Sequence, residues 1–142
     1  MSKYNQGEFQ PKNPQKYVGT FPITYRSSWE LTFMNTCDAH PNIIQWASES
    51  IKIPYKNPLT GMQSVYIPDF FVTYMDKNGS THAELIEIKP ISQSLMEQAK
   101  SRKDKLSVAL NTAKWMAAEA WCRRFRIKFR VMTENQLYRQ HK

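Results

Sequence analysis

The sequence predicts an α/β domain in which a mixed β-sheet carries helices on both faces. Apolar runs rich in β-branched and aromatic residues, separated by turn clusters, occupy the middle of the chain, and segments with three- and four-residue apolar spacing flank them. A last stretch alternates aromatic or aliphatic residues with cations, which adds one more strand after the helices.

Residues 1–20 are polar, carry Lys3, Lys12 and Lys16 beside Pro11 and Pro14, and show little periodicity. They are expected to form an extended basic arm ahead of a single domain over residues 21–142. Its cations suit phosphates or a protein partner, or simply a loosely packed tail. Ser27 or Ser28 then opens a helix through Trp29, Leu31, Phe33, Met34 and Cys37 to about His40, where Pro41 stops it. Ser27-x-x-Glu30 is a capping box, which by itself accounts for Glu30.

Asn42 to Glu49 and Ser50 to Tyr55 read as short strands or as one strand with a break, and Asn57-Pro58-Leu59-Thr60-Gly61 as a turn, a plain surface loop in preference to the border of a substrate groove. Val65 to Met75 reads as one buried strand whose only charge is Asp69. After the turn cluster Asp76-Lys77-Asn78-Gly79-Ser80, residues His82 to Lys89 return as a second strand, ended by Pro90. From Ser92 to Arg123 the apolar residues Leu95, Ala99, Leu106, Leu110, Ala113, Ala117 and Ala120 keep helical spacing, with a break expected near Asn111-Thr112. Arg124 to Val131 alternates Phe125, Ile127, Phe129 and Val131 with Arg124, Arg126, Lys128 and Arg130, the pattern of a half-buried strand. Thr133-x-x-Gln136 caps a short final helix.

Register decides whether the two acids of the central hairpin meet. A two-residue Asn78-Gly79 loop pairs Asp69 with Ile88 and turns Glu87 to the opposite face. A three-residue loop, Lys77-Asn78-Gly79 with Gly79 in the left-handed position, centres the hairpin on Asn78 and sets Asp69 opposite Glu87. Opposed residues have Cβ atoms roughly 4.5–5.5 Å apart, from which two carboxylates reach one cation at about 2.0–2.1 Å per oxygen. Lys89, two residues beyond Glu87, shares its face.

Two acids on an apolar hairpin repel each other and lose hydration. A bound Mg²⁺ or Mn²⁺ reverses the sign of that interaction, and a nearby lysine can orient or deprotonate a water for attack on phosphorus. The plainer alternative is a loop-capping Asp69 and a surface ion pair between Glu87 and Lys89.

Twenty Lys and Arg against twelve Asp and Glu leave a net charge of +8, which favours a polyanionic partner, nucleic acid before anionic membrane. Two clusters are candidate DNA contacts: Lys100, Arg102, Lys103 and Lys105, and Arg124, Arg126, Lys128 and Arg130. Each is also explained as a solvated face or by pairing with carboxylates. No apolar run approaches the roughly 20 residues of a membrane span, and the first residues lack the apolar core of a secretory signal, so a cytosolic protein is expected. Cys37 and Cys122 lack zinc-binding spacing and read as reduced structural thiols; His40, His82 and His141 are scattered.

Pro68-Asp69 followed by Glu87-Ile88-Lys89 resembles the signature of the PD-(D/E)xK nuclease superfamily. The passages Pro11 to Tyr17, Tyr25 to Glu30, Tyr66 to Phe71, and Lys114-Trp115 through Trp121-Cys122 resemble the head completion nucleases of T-even-type tailed phages, over nearly the whole chain. The resemblance implies a restriction-endonuclease-like fold and Mg²⁺-dependent hydrolysis of DNA, with Mn²⁺ as the alternative ion. It implies Asp69, Glu87 and the Ile88 carbonyl as metal ligands, Lys89 as the residue that orients or deprotonates the water, and Glu30 as a further member of the metal shell. Lysine's ordinary pKa of about 10.4 must fall for proton transfer; otherwise Lys89 acts through its charge. Phage head or neck proteins are the implied partners, and the host cytoplasm or the virion the implied location, after DNA packaging. The competing function is a non-catalytic, basic DNA-binding or head-neck assembly protein on a nuclease scaffold.

Overall fold

The computed structural model describes residues 6–90, 100–134 and 136. In chain order it contains β1 (Gly7–Phe9), a single 3₁₀ turn (Pro14–Lys16), β2 (Ile23–Tyr25), α1 (Ser28–Ala39), β3 (Ile43–Ser48), β4 (Ile53–Lys56), β5 (Gln63–Tyr66), β6 (Phe70–Met75), β7 (Thr81–Ile88), α2 (Arg102–Arg124) and β8 (Lys128–Met132). The central sheet has the order β3-β6-β7-β8, antiparallel except for the parallel pair β7 and β8. A parallel neighbour cannot be reached by a tight turn, and α2 lies in the connection that carries the chain back. β1 with β2 and β4 with β5 form two separate ribbons.

Successive strand residues point to opposite faces, so the sheet feeds two cores. On one side Trp29, Phe33, Met34 and Cys37 of α1 pack with Trp46, Phe70, Val72, Ile86 and Ile88. On the other, Ala118 and Cys122 of α2 pack with Leu85, Phe71 and Phe129 and with Ile53, Tyr55 and Tyr66 of the β4-β5 ribbon. The mixed sheet between helices is the architecture expected from the order of elements.

Four expectations are corrected. The run from Val65 to Met75 is two strands in different sheets, because Pro68 has no amide hydrogen for a ladder and the chain turns at Ile67-Pro68-Asp69. Val65 and Ile67 are accordingly 55% and 41% exposed. The helix does not break at Asn111-Thr112: Thr112 Oγ1 donates to the Val108 carbonyl at 2.7 Å, and buried Asn111 stays within α2. That helix starts at Arg102, with Ser101 Oγ accepting from the Asp104 amide at 3.0 Å. The part of the expected helix over residues 91–99 lies outside the described residues, as does the final helix beyond Gln136.

The alternation from Arg124 to Val131 is a strand only from Lys128. Arg124 ends α2, Phe125 packs on Trp121 with ring centroids 4.5 Å apart, and Arg126 turns the chain at φ 59°. Phe125 lies four residues after Trp121, a spacing that serves a helix as well as the period of two serves a strand. Finally, residues 6–20 do not stand off as an arm. β1 pairs with β2, Phe9 and Tyr17 enter the α1 core, and buried Asp38 accepts from the amides of Lys12 and Asn13, each at 2.9 Å.

Candidate active site

The β6-β7 hairpin pairs Phe70 with Ile86 and Met75 with Thr81, a register centred on Asn78. Gly79 adopts φ 81°, while Asp76 Oδ1 accepts from the amides of Asn78 and Ser80 at 2.9 and 3.0 Å and draws the loop together. One further step along this register sets Asp69 opposite Glu87. Asp69 lies just outside the ladder, where its Oδ2 accepts from the Ile88 amide at 2.8 Å and its carbonyl accepts from the Glu49 amide at 3.0 Å.

Glu87 is buried. Its Oε1 accepts from the Tyr66 hydroxyl at 2.8 Å, and its Oε2 lies 3.7 Å from Lys89 Nζ. The Lys89 amide donates to the Met132 carbonyl at 3.0 Å, which continues the β7-β8 pairing and fixes the backbone under the lysine. Glu30 sits in the first turn of α1. Its amide donates to Ser27 Oγ at 3.1 Å, but its own Oε1 accepts from the Arg26 amide at 2.9 Å, so the reciprocal half of the capping box reaches one residue past the N-cap. The Arg26 guanidinium pairs with Glu49.

The three acids form one electrostatic neighbourhood. Burial and the Glu87 charge hold the Asp69 carboxyl well above its ordinary value; the Ile88 amide and Lys89 oppose them, and Glu30 adds to the rise. Burial raises Glu87 against Lys89, the Tyr66 hydroxyl and Lys114. Burial raises Glu30 as well, against Arg26 and Lys89. Among the described residues no three His, Cys, Asp or Glu side chains are gathered into a ready-made metal cage. What the hairpin does assemble is two carboxylates with a lysine beside one of them.

The two cationic clusters are dispersed. Lys100, Arg102, Lys103 and Lys105 are exposed around the start of α2. Arg124 and Arg126 belong to the helix end and the turn, leaving only Lys128 and Arg130 on the strand. Arg130 Nε lies 3.2 Å from Glu84, a buried acid that also accepts from the Tyr74 hydroxyl at 2.8 Å. Its charge is engaged inside the protein.

Sequence reasoning missed Tyr66 and Lys114 as members of the site. They reach it from other elements, Lys114 from α2 with Nζ 5.7 Å from the Tyr66 ring centroid. Pro68 is the one sequence signal, since it marks the turn that separates Tyr66 from β6.

The TnsA-like endonuclease N-terminal family model matches residues 40–134. The chain belongs to that family. It is also 37% identical to the head completion nuclease of Enterobacteria phage T4, over 92% of each chain. The fold is therefore restriction-endonuclease-like, with Asp69, Glu87 and Lys89 inside the matched span and Glu30 ahead of it.

Proposed function

We propose that this chain is a DNA nuclease that hydrolyses phosphodiester bonds with Mg²⁺, or with Mn²⁺ in its place, and acts in the completion of phage heads. The observation that carries the reading is the hairpin register that brings Asp69 and Glu87 together with Lys89. Family membership and the name of the phage T4 relative support the reaction class and the setting.

The donor set fits a hard divalent cation. The Asp69 carboxyl, pushed toward its protonated form by burial and the neighbouring Glu87 charge, is relieved by either a proton or a cation, and oxygen donors suit Mg²⁺. Asp69, Glu87 and the Ile88 carbonyl would hold it. When bound, such an ion polarises a phosphoryl oxygen and lowers the pKa of a coordinated water.

The chain's own residues supply the rest. Lys89 carries three donors and a positive charge next to Glu87, so it holds a water by hydrogen bonding and offsets the negative charge that grows on the phosphate. Glu30, held by its helix cap beside the pair, is the third acid able to orient that water. The exposed cations around the start of α2 would neutralise phosphates of the DNA backbone. DNA is the substrate, with phage head or neck proteins as partners in the host cytoplasm or on the virion.

Purified wild-type, Asp69→Asn and Glu87→Gln proteins incubated with linear, circular and flapped DNA, with Mg²⁺, Mn²⁺ or chelator, test the proposal. Wild type should cut only with metal, and each variant should keep its circular dichroism spectrum and lose cutting, since each retains shape and removes an anionic ligand. Cleavage in chelator, or normal cutting by either variant, overturns the assignment. Nicking of circular DNA identifies an endonuclease.

A further inference from the structure

Glu87 is 5% exposed, and its two oxygens face different neighbours: Oε1 accepts from Tyr66 and Oε2 faces Lys89. The terminal torsion of a glutamate is broad and roughly two-fold, so the side chain alone does not set its carboxylate plane. A donor on one oxygen does.

Tyr66 is built to be that donor. It ends β5, three residues before Asp69, and fully buried Pro68 lies in the turn between them. One short segment therefore makes two contacts with consecutive residues of β7: the Tyr66 hydroxyl meets Glu87 Oε1 at 2.8 Å, and Asp69 Oδ2 meets the Ile88 amide at 2.8 Å. The ring has little freedom. It is 4% exposed, Phe129 packs against it edge-on at 6.5 Å between centroids, and Lys114 Nζ lies 5.7 Å from its centroid.

We propose that Tyr66 is a positioning residue: by holding Oε1 on a clamped ring, it sets the carboxylate plane of Glu87 and presents Oε2 to Lys89 and to the divalent cation. This rests on the reading of Asp69 and Glu87 as cation ligands. Hydrogen bonds behind a ligating side chain commonly matter this much, their loss costing about 10- to 100-fold in metal affinity or activity.

Tyr66→Phe removes the hydroxyl and keeps the ring, its packing on Phe129 and its place beside Lys114. Mn²⁺ binding to DNA-free protein, followed by calorimetry, separates positioning from a merely structural bond, which would appear only as a lower melting temperature. The variant should bind Mn²⁺ about 10- to 100-fold more weakly. Its kcat should fall with KM for DNA unchanged. Mn²⁺ affinity equal to wild type overturns the proposal, whatever the melting temperature. The ligand assignment fails separately, and takes this inference with it, if wild type binds no Mn²⁺ or Glu87→Gln binds it as tightly as wild type.

Discussion

Burial, and then the neighbouring Glu87 charge, favour the protonated form of Asp69. The folded protein then binds that proton more tightly than the unfolded chain. The associated stability is present in full below the ordinary value of 3.8 and is lost as pH rises through the higher folded value. In chelator at neutral pH, Asp69→Asn should therefore melt above wild type, and the gap should close as pH falls toward 3.8. Metal should raise the melting temperature of wild type more than that of the variant, because a ligand that binds only the folded state stabilises it. Thermal melts across pH check this; a variant that melts lower, or a gap that ignores pH, removes the electrostatic account. Glu30 gives a second residue-scale test. Glu30→Gln keeps an oxygen for the Arg26 amide and removes a charge that burial disfavours, so its melting temperature should not fall below wild type while cleavage falls steeply. Unchanged cleavage would leave Glu30 as a helix cap.

At the scale of elements, legibility followed the range of the interactions involved. The hairpin register could be read because Gly79 sits where a bulged turn needs φ > 0, and Ser27 and Pro41 marked the ends of α1 for equally local reasons. Asn111-Thr112 misled because low helical propensity is a weak prior, overridden once Asn111 is buried and Thr112 bonds back into its own helix. Arg124 to Val131 misled because one spacing served two periods. The basic clusters consequently part company. Neutralising Arg102, Lys103 and Lys105 should ease the log-log salt dependence of duplex binding by about 0.9 for each phosphate that is no longer neutralised, measured on non-cleaving Asp69→Asn protein. Arg130→Ala should leave that slope alone and destabilise the fold by about 1–3 kcal/mol, because buried Glu84 is deprived of its cation. A slope change from Arg130→Ala, with stability kept, would place the DNA path along β8.

At the scale of the whole molecule, the candidate site depends on segments far apart in the chain. Tyr66 reaching Glu87, and Asp38 gathering the backbone of Lys12 and Asn13, are interactions that composition and periodicity do not encode. The second of these makes residues 6–17 part of the domain. Phe9 and Tyr17 both pack on Trp46, with ring centroids 5.8 and 4.7 Å away, and the Val18 amide donates to the Trp46 carbonyl at 2.9 Å. Burying a side chain such as Phe9 contributes about 1.5–3 kcal/mol. Leaving the Asp38 carboxylate without its two amide donors costs about 1–3 kcal/mol more. Set against a total stability of about 5–15 kcal/mol, these effects are large. Deleting residues 1–17 should therefore abolish a cooperative thermal transition or lower it sharply, and Phe9→Ala alone should lower it measurably. Circular dichroism melts decide the matter: a truncated chain that keeps the full-length melting temperature would restore the extended arm, and loss of DNA binding with that temperature kept would assign Lys12 and Lys16 to the substrate.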